Sequence, residues 1–136
     1  MAETIFSKIL RKEIPAEIIY EDDQTLAFLD VNPSAPGHTL VIPKREVPTL
    51  LELNKDELGA LFLTVSRIAG ILENTFKIDS LSIGINHKEE KGVPHLHVHL
   101  IPRFKSDGGG VMQSLVENKS QKSLKEIAEL IRSHAH

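Results

Sequence analysis

The segment His95-Leu96-His97-Val98-His99-Leu100-Ile101 alternates imidazole and aliphatic side chains along its whole length. Successive side chains of a strand point to opposite faces. The pattern therefore predicts a half-buried strand over 95–101, with His95, His97 and His99 on one surface and Leu96, Val98 and Leu100 toward the core. Same-face neighbours lie about 7 Å apart at their backbones, so protonating one ring disfavours protonating the next, and the titrations couple. A neutral imidazole in such a row can attack phosphorus while a charged neighbour donates a proton or stabilises phosphate oxygens. On the triplet alone three readings stay open: phosphoryl or nucleotidyl transfer, metal binding, and a structural role. Glu89 and Glu90, in the loop just upstream, are the acidic candidates for a metal's outer shell.

Working outward, Leu81, Ile83 and Ile85 alternate with Ser82, Gly84 and Asn86, which predicts a strand over 80–86. Farther upstream, Asn54 followed by Glu57 forms a capping-box pattern before Leu58, Leu61, Phe62, Val65, Ile68, Leu72 and Phe76, one apolar stripe and the longest helix. Thr4 to Arg11 carries Ile5, Phe6, Ile9 and Leu10 at helical spacing and stops before Pro15. Glu17 to Tyr20 and Thr25 to Val31 read as strands joined by the polar loop Glu21–Gln24, and Thr39 to Ile42 as a short strand with Pro43 at its end. Beyond the triplet, Ser106-Asp-Gly-Gly-Gly reads as a flexible hinge before a final helix capped by Ser123 and Glu126. Strands mixed with one long helix imply an α+β domain on a mostly antiparallel, five-stranded sheet, with short N-terminal and C-terminal helices.

The chain has 136 residues, 40% of them hydrophobic, which suits one domain with a single core. With no cysteine, disulfides, thiolate nucleophiles and cysteine zinc sites are excluded. A net charge of -3 offers no overall positive field for a nucleic acid polymer. The N-terminal residues lack a signal peptide's apolar run and no segment reaches membrane-span length, so a cytoplasmic protein without membrane partners is expected.

Several ordered blocks resemble the histidine triad (HIT) family: His95-x-His97-x-His99 with its aliphatic neighbours, Thr4 to Ala16, Glu21-Asp-Asp, Ala27-Phe-Leu-Asp-Val-Asn-Pro and Ala35-Pro-Gly-His-Thr-Leu-Val-Ile-Pro-Lys. Within it they are similar to the Hint-like branch, the purine nucleoside phosphoramidases. The resemblance spans residues 4 to about 104. It implies a HIT-like domain over 1–104; residues 105–136 lie beyond the signature and read as a Gly-containing hinge and helical extension packed on the same domain or on a dimer partner. It further implies that His97 attacks the α-phosphorus to form a covalent nucleotidyl-histidine, that His99 contacts phosphate oxygens or assists proton transfer, and that His95 and His38 orient the nucleophile. By the same resemblance Asp30 accepts hydrogen bonds from the ribose hydroxyls, Phe6, Ile9, Phe28 and Val31 wall the base pocket, and Asn86 is a phosphate-side donor. Taken without the resemblance, His38 and Asp30 read as loop or turn residues and the apolar four as core. A purine nucleotide substrate, no cofactor and a homodimer through the long helix and a sheet strand complete the expectation. The alternatives are a dinucleoside polyphosphate hydrolase of the same family and a nucleotide- or metal-binding module with little turnover.

Two departures stand out. The loop Asn86 to His95 is shorter than the family's usual one: Glu90 and Lys91 stand where glycine and glutamine are usual, and Gly92 where a hydroxyl side chain is common. Lys88 and Lys91 are its candidate cationic contacts to substrate. Thr4, Ser7 and Glu46 occupy the places of a Cys-x-x-Cys and histidine zinc site found in some bacterial-type members, so no structural zinc is expected.

Overall fold

Asn54 and Glu57 cap one another, each side chain accepting the other's backbone N–H at 2.9 Å. This satisfies two helix-end donors and starts the longest element, as the capping-box pattern predicts. In the computed structural model, which describes residues 3–135, that helix, α2, runs Lys55–Phe76. Met1, Ala2 and His136, the outermost residues of the two expected segments, lie outside the described residues.

In chain order the elements are α1 (Ile5–Leu10), β1 (Ile18–Glu21), β2 (Thr25–Leu29), β3 (Thr39–Pro43), α2, β4 (Ser80–Gly84), β5 (Val98–Arg103) and α3 (Leu124–Arg132). Single 3-10 turns sit at Leu50–Glu52 and Met112–Ser114. The five strands make one antiparallel sheet in the order β1-β2-β3-β5-β4, which gives the expected α+β class.

The sheet's two faces bury different sets of side chains. Against α2 lie Ala27, Val41, Val98 and Leu100, meeting Leu61, Val65, Ile68 and Leu72. Burying each of these aliphatic side chains contributes about 1.5–3 kcal/mol. The opposite face packs Leu26, Phe28, Leu40 and Ile42 against Phe6 and Ile9 of α1. His99 pairs with Leu40 across the β3–β5 ladder and so shares the α1 face. Helix α1 covers the β2–β3 half of that face.

Phe62 and Phe76 depart from the expected stripe, at 43% and 39% exposure. Phe62 follows the fully buried Leu61 by one position, about 100° farther round the helix. Phe76 instead lays its ring on the turn before β3, where a β-carbon at Gly37 would sit 2.7 Å from Phe76 Cε2. Gly37 also adopts φ +87°, a conformation glycine takes without a β-carbon penalty, and it turns the chain into His38.

Strand ends are corrected at three places. The strand expected over 95–101 begins at Val98 and extends to Arg103. Before it, Leu96 N–H donates to Val47 O at 2.7 Å, so this backbone pairs with the segment after β3 rather than with the ladder. Strand β2 stops at Leu29 because Asn32 N–H folds onto Asp30 Oδ1 at 2.9 Å, starting a turn. Strand β4 ends at Gly84, two residues short of Asn86.

The expected hinge after β5 is pinned. Arg103 donates to both carboxylate oxygens of Asp107, at 2.8 and 3.0 Å, and also bonds Ser82 Oγ and the Gly110 carbonyl. Helix α3 is capped by Ser123 and Glu126 as its sequence predicts, and buries none of its residues on the described chain.

Candidate active site

Gly37, the end of β3 and the approach to β5 bring four histidines together. His38 and His95 are buried, 3% and 0% exposed, while His97 and His99 are half-buried. The expectation that all three triplet rings share an accessible surface is corrected at His95. Its ring stands edge-on to Phe6 with centroids 5.7 Å apart, and its Nε2 lies 3.1 Å from the Pro43 carbonyl. A carbonyl only accepts, so that nitrogen carries the hydrogen and His95 is pinned to the end of β3.

The neighbouring backbone settles the tautomers of the other rings. Ser34 N–H donates to His38 Nδ1 at 3.0 Å, which leaves the hydrogen of a neutral His38 on Nε2. That Nε2–H is 2.9 Å from His99 Nδ1 and donates to it. The hydrogen of His99 therefore sits on Nε2, a buried atom with no partner among the described residues. His97 Nδ1–H donates to the His95 carbonyl at 2.7 Å, so in a neutral His97 the lone pair is on Nε2. The His97 and His99 rings meet edge to face at 5.0 Å, and Phe6 braces His97 from its other side at the same separation. A neutral His97 thus carries a nucleophilic lone pair beside His99, whose Nε2 donor is left without a protein partner among the described residues.

Burial holds three of these groups neutral. It pushes the His38 pKa below the ordinary histidine value, with the Asp30 carboxylate opposing. His95 is lowered by burial against the contrary pull of the Pro43 carbonyl. His99 is lowered by burial first and then by the His97 and His38 imidazoles, the coupling expected of a histidine row.

Asp30, His38 and His99 bring potential ligand atoms within 4.8 Å of one another, so the metal reading can be tested on chemistry. Because Ser34 N–H occupies the lone pair of His38 Nδ1, the Nε2 facing Asp30 and His99 bears the hydrogen. A metal needs a lone pair there, so the set fits a proton relay rather than a cation site.

Two cavities flank the row. One of about 240 Å³ is lined by Thr49, the Asn86–Glu89 loop and His97. The other, about 610 Å³, lies between β4, β5 and the strap Gly110–Leu115, and includes His38, His99 and Asn86. Asn86 lines both. Of the residues expected at the base pocket, Phe6, Ile9 and Phe28 are core side chains and line neither cavity. Val31 is 74% exposed beside the half-buried Asp30.

The expected contact of His38 with His97 is corrected as well: His38 bonds His99, and His95 orients His97 through its main-chain carbonyl. Residues that sequence reasoning missed are Ser34, Pro43 and the strap. The first two act through backbone groups that any residue carries, so side-chain identity gives no signal. Thr4, Ser7 and Glu46 do converge, joined by hydrogen bonds from the Thr4 hydroxyl to Ser7 Oγ and from Ser7 to the Glu46 carboxylate, tying α1 to the segment after β3.

Residues 11–106 match the family model of the HIT domain. The purine nucleoside phosphoramidase of Escherichia coli K12 is 39% identical over 105 residues, 73% of this chain and 86% of that protein. The asymmetrical bis(5′-nucleosyl)-tetraphosphatase of Schizosaccharomyces pombe is 40% identical over 96 residues, 69% of this chain and 53% of that protein. Among solved structures, a HIT family protein of Bacillus subtilis superposes with a TM-score of 0.85 at 32% identity, covering 99% of each chain.

Proposed function

The chain belongs to the HIT family, and on that premise we propose that it hydrolyses purine nucleoside phosphoramidates, of the adenosine 5′-monophosphoramidate or lysine-conjugate type, through a nucleotidyl-histidine at His97. Among its relatives are a purine nucleoside phosphoramidase and an asymmetrical bis(5′-nucleosyl)-tetraphosphatase at nearly equal identity, beside HIT-like proteins of no stated activity, so the choice between leaving groups rests on the site. The observation that carries the proposal is the 2.7 Å bond from His97 Nδ1–H to the His95 carbonyl, which in the neutral ring puts the lone pair on Nε2.

In the proposed reaction the His97 Nε2 lone pair attacks the α-phosphorus. A P–N bond to the imidazole forms as the P–N bond to the amine breaks, the amine nitrogen taking up a proton from solvent water as it leaves. Water then attacks the same phosphorus, breaking its bond to His97 and releasing the nucleoside monophosphate. His99 Nε2–H, held by the Ser34–His38 relay, donates to phosphate oxygens as charge builds on them; one such fixed donor contributes about 10²–10³ in rate. Asp30 and Val31 serve the ribose and base, Asn86 serves the phosphate, and Phe6, Ile9 and Phe28 support these groups from the core. A dimer partner would cover Phe62, Leu63, Ile71 and the edge-strand residue Ile83, which are 40–65% exposed. Among the described residues no helix is long and apolar enough to cross a membrane.

Amine release from adenosine 5′-phosphoramidate, followed for wild type and His97→Ala with chelator present, tests the reading. The expected result is rapid, metal-independent release that the variant lacks. If a dinucleoside polyphosphate gives the higher kcat/KM, the leaving-group assignment fails; if neither substrate is turned over, the hydrolase reading fails with it.

A further inference from the structure

The smaller cavity carries an acidic group that the proposed hydrolysis does not use. Glu89 lines it together with Thr49, Asn86, His87, Lys88 and the nucleophile His97. The Glu89 side chain is exposed on this loop and folds back over Gly92 at the cavity wall. Gly92 N–H reaches back to the Glu89 carbonyl, and the space a β-carbon at residue 92 would occupy is taken by the Glu89 side chain. Only glycine at 92 leaves the carboxylate there. Among the described residues Glu89 makes no ion pair. Lys88, the cavity's other formally charged group, acts on Glu52: the Glu52 carboxyl is held low by the Thr49 hydroxyl first and, to a smaller extent, by Lys88.

An unpaired carboxylate on the wall of a phosphate-transfer cavity repels an anionic leaving group and attracts a cationic one. We infer that Glu89 is a specificity-determining residue for the leaving group, selecting phosphoramidates whose departing amine carries a second, cationic group, and discriminating against polyphosphate. The inference rests on the phosphoramidase reading and adds the chemistry of the leaving side to it. Its physical basis is placement. The cavity wall carries both the attacking imidazole and the carboxylate, so a leaving group departing from His97 on this side passes Glu89. The Glu89 charge also reaches His99, where it opposes the larger downward push of burial and of the neighbouring imidazoles.

The test compares two adenosine 5′-phosphoramidates that differ only at the far end of the leaving amine, one ending in an ammonium group and the other in a hydroxyl. The ratio of their kcat/KM values is measured for wild type, Glu89→Gln and Glu89→Lys. Wild type should favour the ammonium substrate by about twofold to fivefold, the range of a solvent-screened ion pair at an exposed carboxylate. In Glu89→Gln the ratio should fall to about one, and in Glu89→Lys it should invert; melting temperatures of the variants check that the fold is kept. A wild-type ratio near one, or a preference that survives in Glu89→Gln, overturns the inference while leaving the phosphoramidase reading standing. Absence of turnover of both substrates by wild type overturns that reading and the inference together.

Discussion

Replacing His38 by Phe keeps ring volume in a buried site and removes both nitrogens of the relay. The Ser34 N–H loses its acceptor and His99 Nδ1 loses its donor, bonds of 3.0 and 2.9 Å in the native protein. Ser34 is exposed, so its N–H regains water, and the main stability cost is the orphaned His99 nitrogen, about 1–2 kcal/mol or roughly 3–6 °C in Tm for a domain of this size. The larger effect falls on turnover. Without the Nε2–H of His38, His99 is free to move its hydrogen to Nδ1, which turns its substrate-facing nitrogen from donor to acceptor. Losing one placed donor costs about 10²–10³ in kcat, and partial loss through a mixed tautomer gives about 10–100-fold. The assay is single-turnover amine release in a cycle with His99→Ala. If His38 acts through His99, adding His38→Phe to His99→Ala changes the rate no further. Additive losses, or full activity of His38→Phe in a folded protein, would refute the relay.

Three further outcomes follow from the same geometry. His38, His95 and His99 all have folded pKa values below the ordinary histidine value because burial penalises the imidazolium. The unfolded chain therefore binds protons first as pH falls. Stability is full above about pH 6.5 and declines below it, by at most about 1.4 kcal/mol per pH unit for each histidine. A Tm that stays level between about pH 7.5 and pH 5 would contradict this. Asn54→Ala removes the acceptor for the Glu57 N–H and should cost about 1 kcal/mol in urea melts, without changing the rate of amine release. Arg103→Ala frees the Asp107–Gly110 segment that it clamps, so limited proteolysis should cut within 105–115 well before the core opens; an unchanged cleavage pattern argues against the clamp.

Where side-chain identity sets structure, the sequence was readable. The Asn54–Glu57 cap, the Leu61 to Leu72 stripe and the β5 alternation all appear as sequence pattern, and the structure places them accordingly. Phe6, Ile9 and Phe28 show the same rule at the site, since their helical and strand spacing pointed to core and they are core. Main-chain bonding was not readable. The start of β5 shifts because Leu96 N–H finds Val47 O, and the relay depends on Ser34 N–H and two carbonyls. The Glu89 carboxylate was visible as a charge near the triplet, but its place on a cavity wall shared with His97 is expressed only by the folded loop.

Covalent catalysis at His97 is tested most directly by intact-protein mass measurement after an alkaline denaturing quench, under which a phosphorus–imidazole bond survives, during turnover of adenosine 5′-phosphoramidate. The expected result is one covalently bound nucleotidyl group per chain, mapped to His97 by fragmentation and absent from His97→Ala. Steady turnover with no adduct at any quench time, together with retained activity in His97→Ala, would contradict covalent catalysis at this residue.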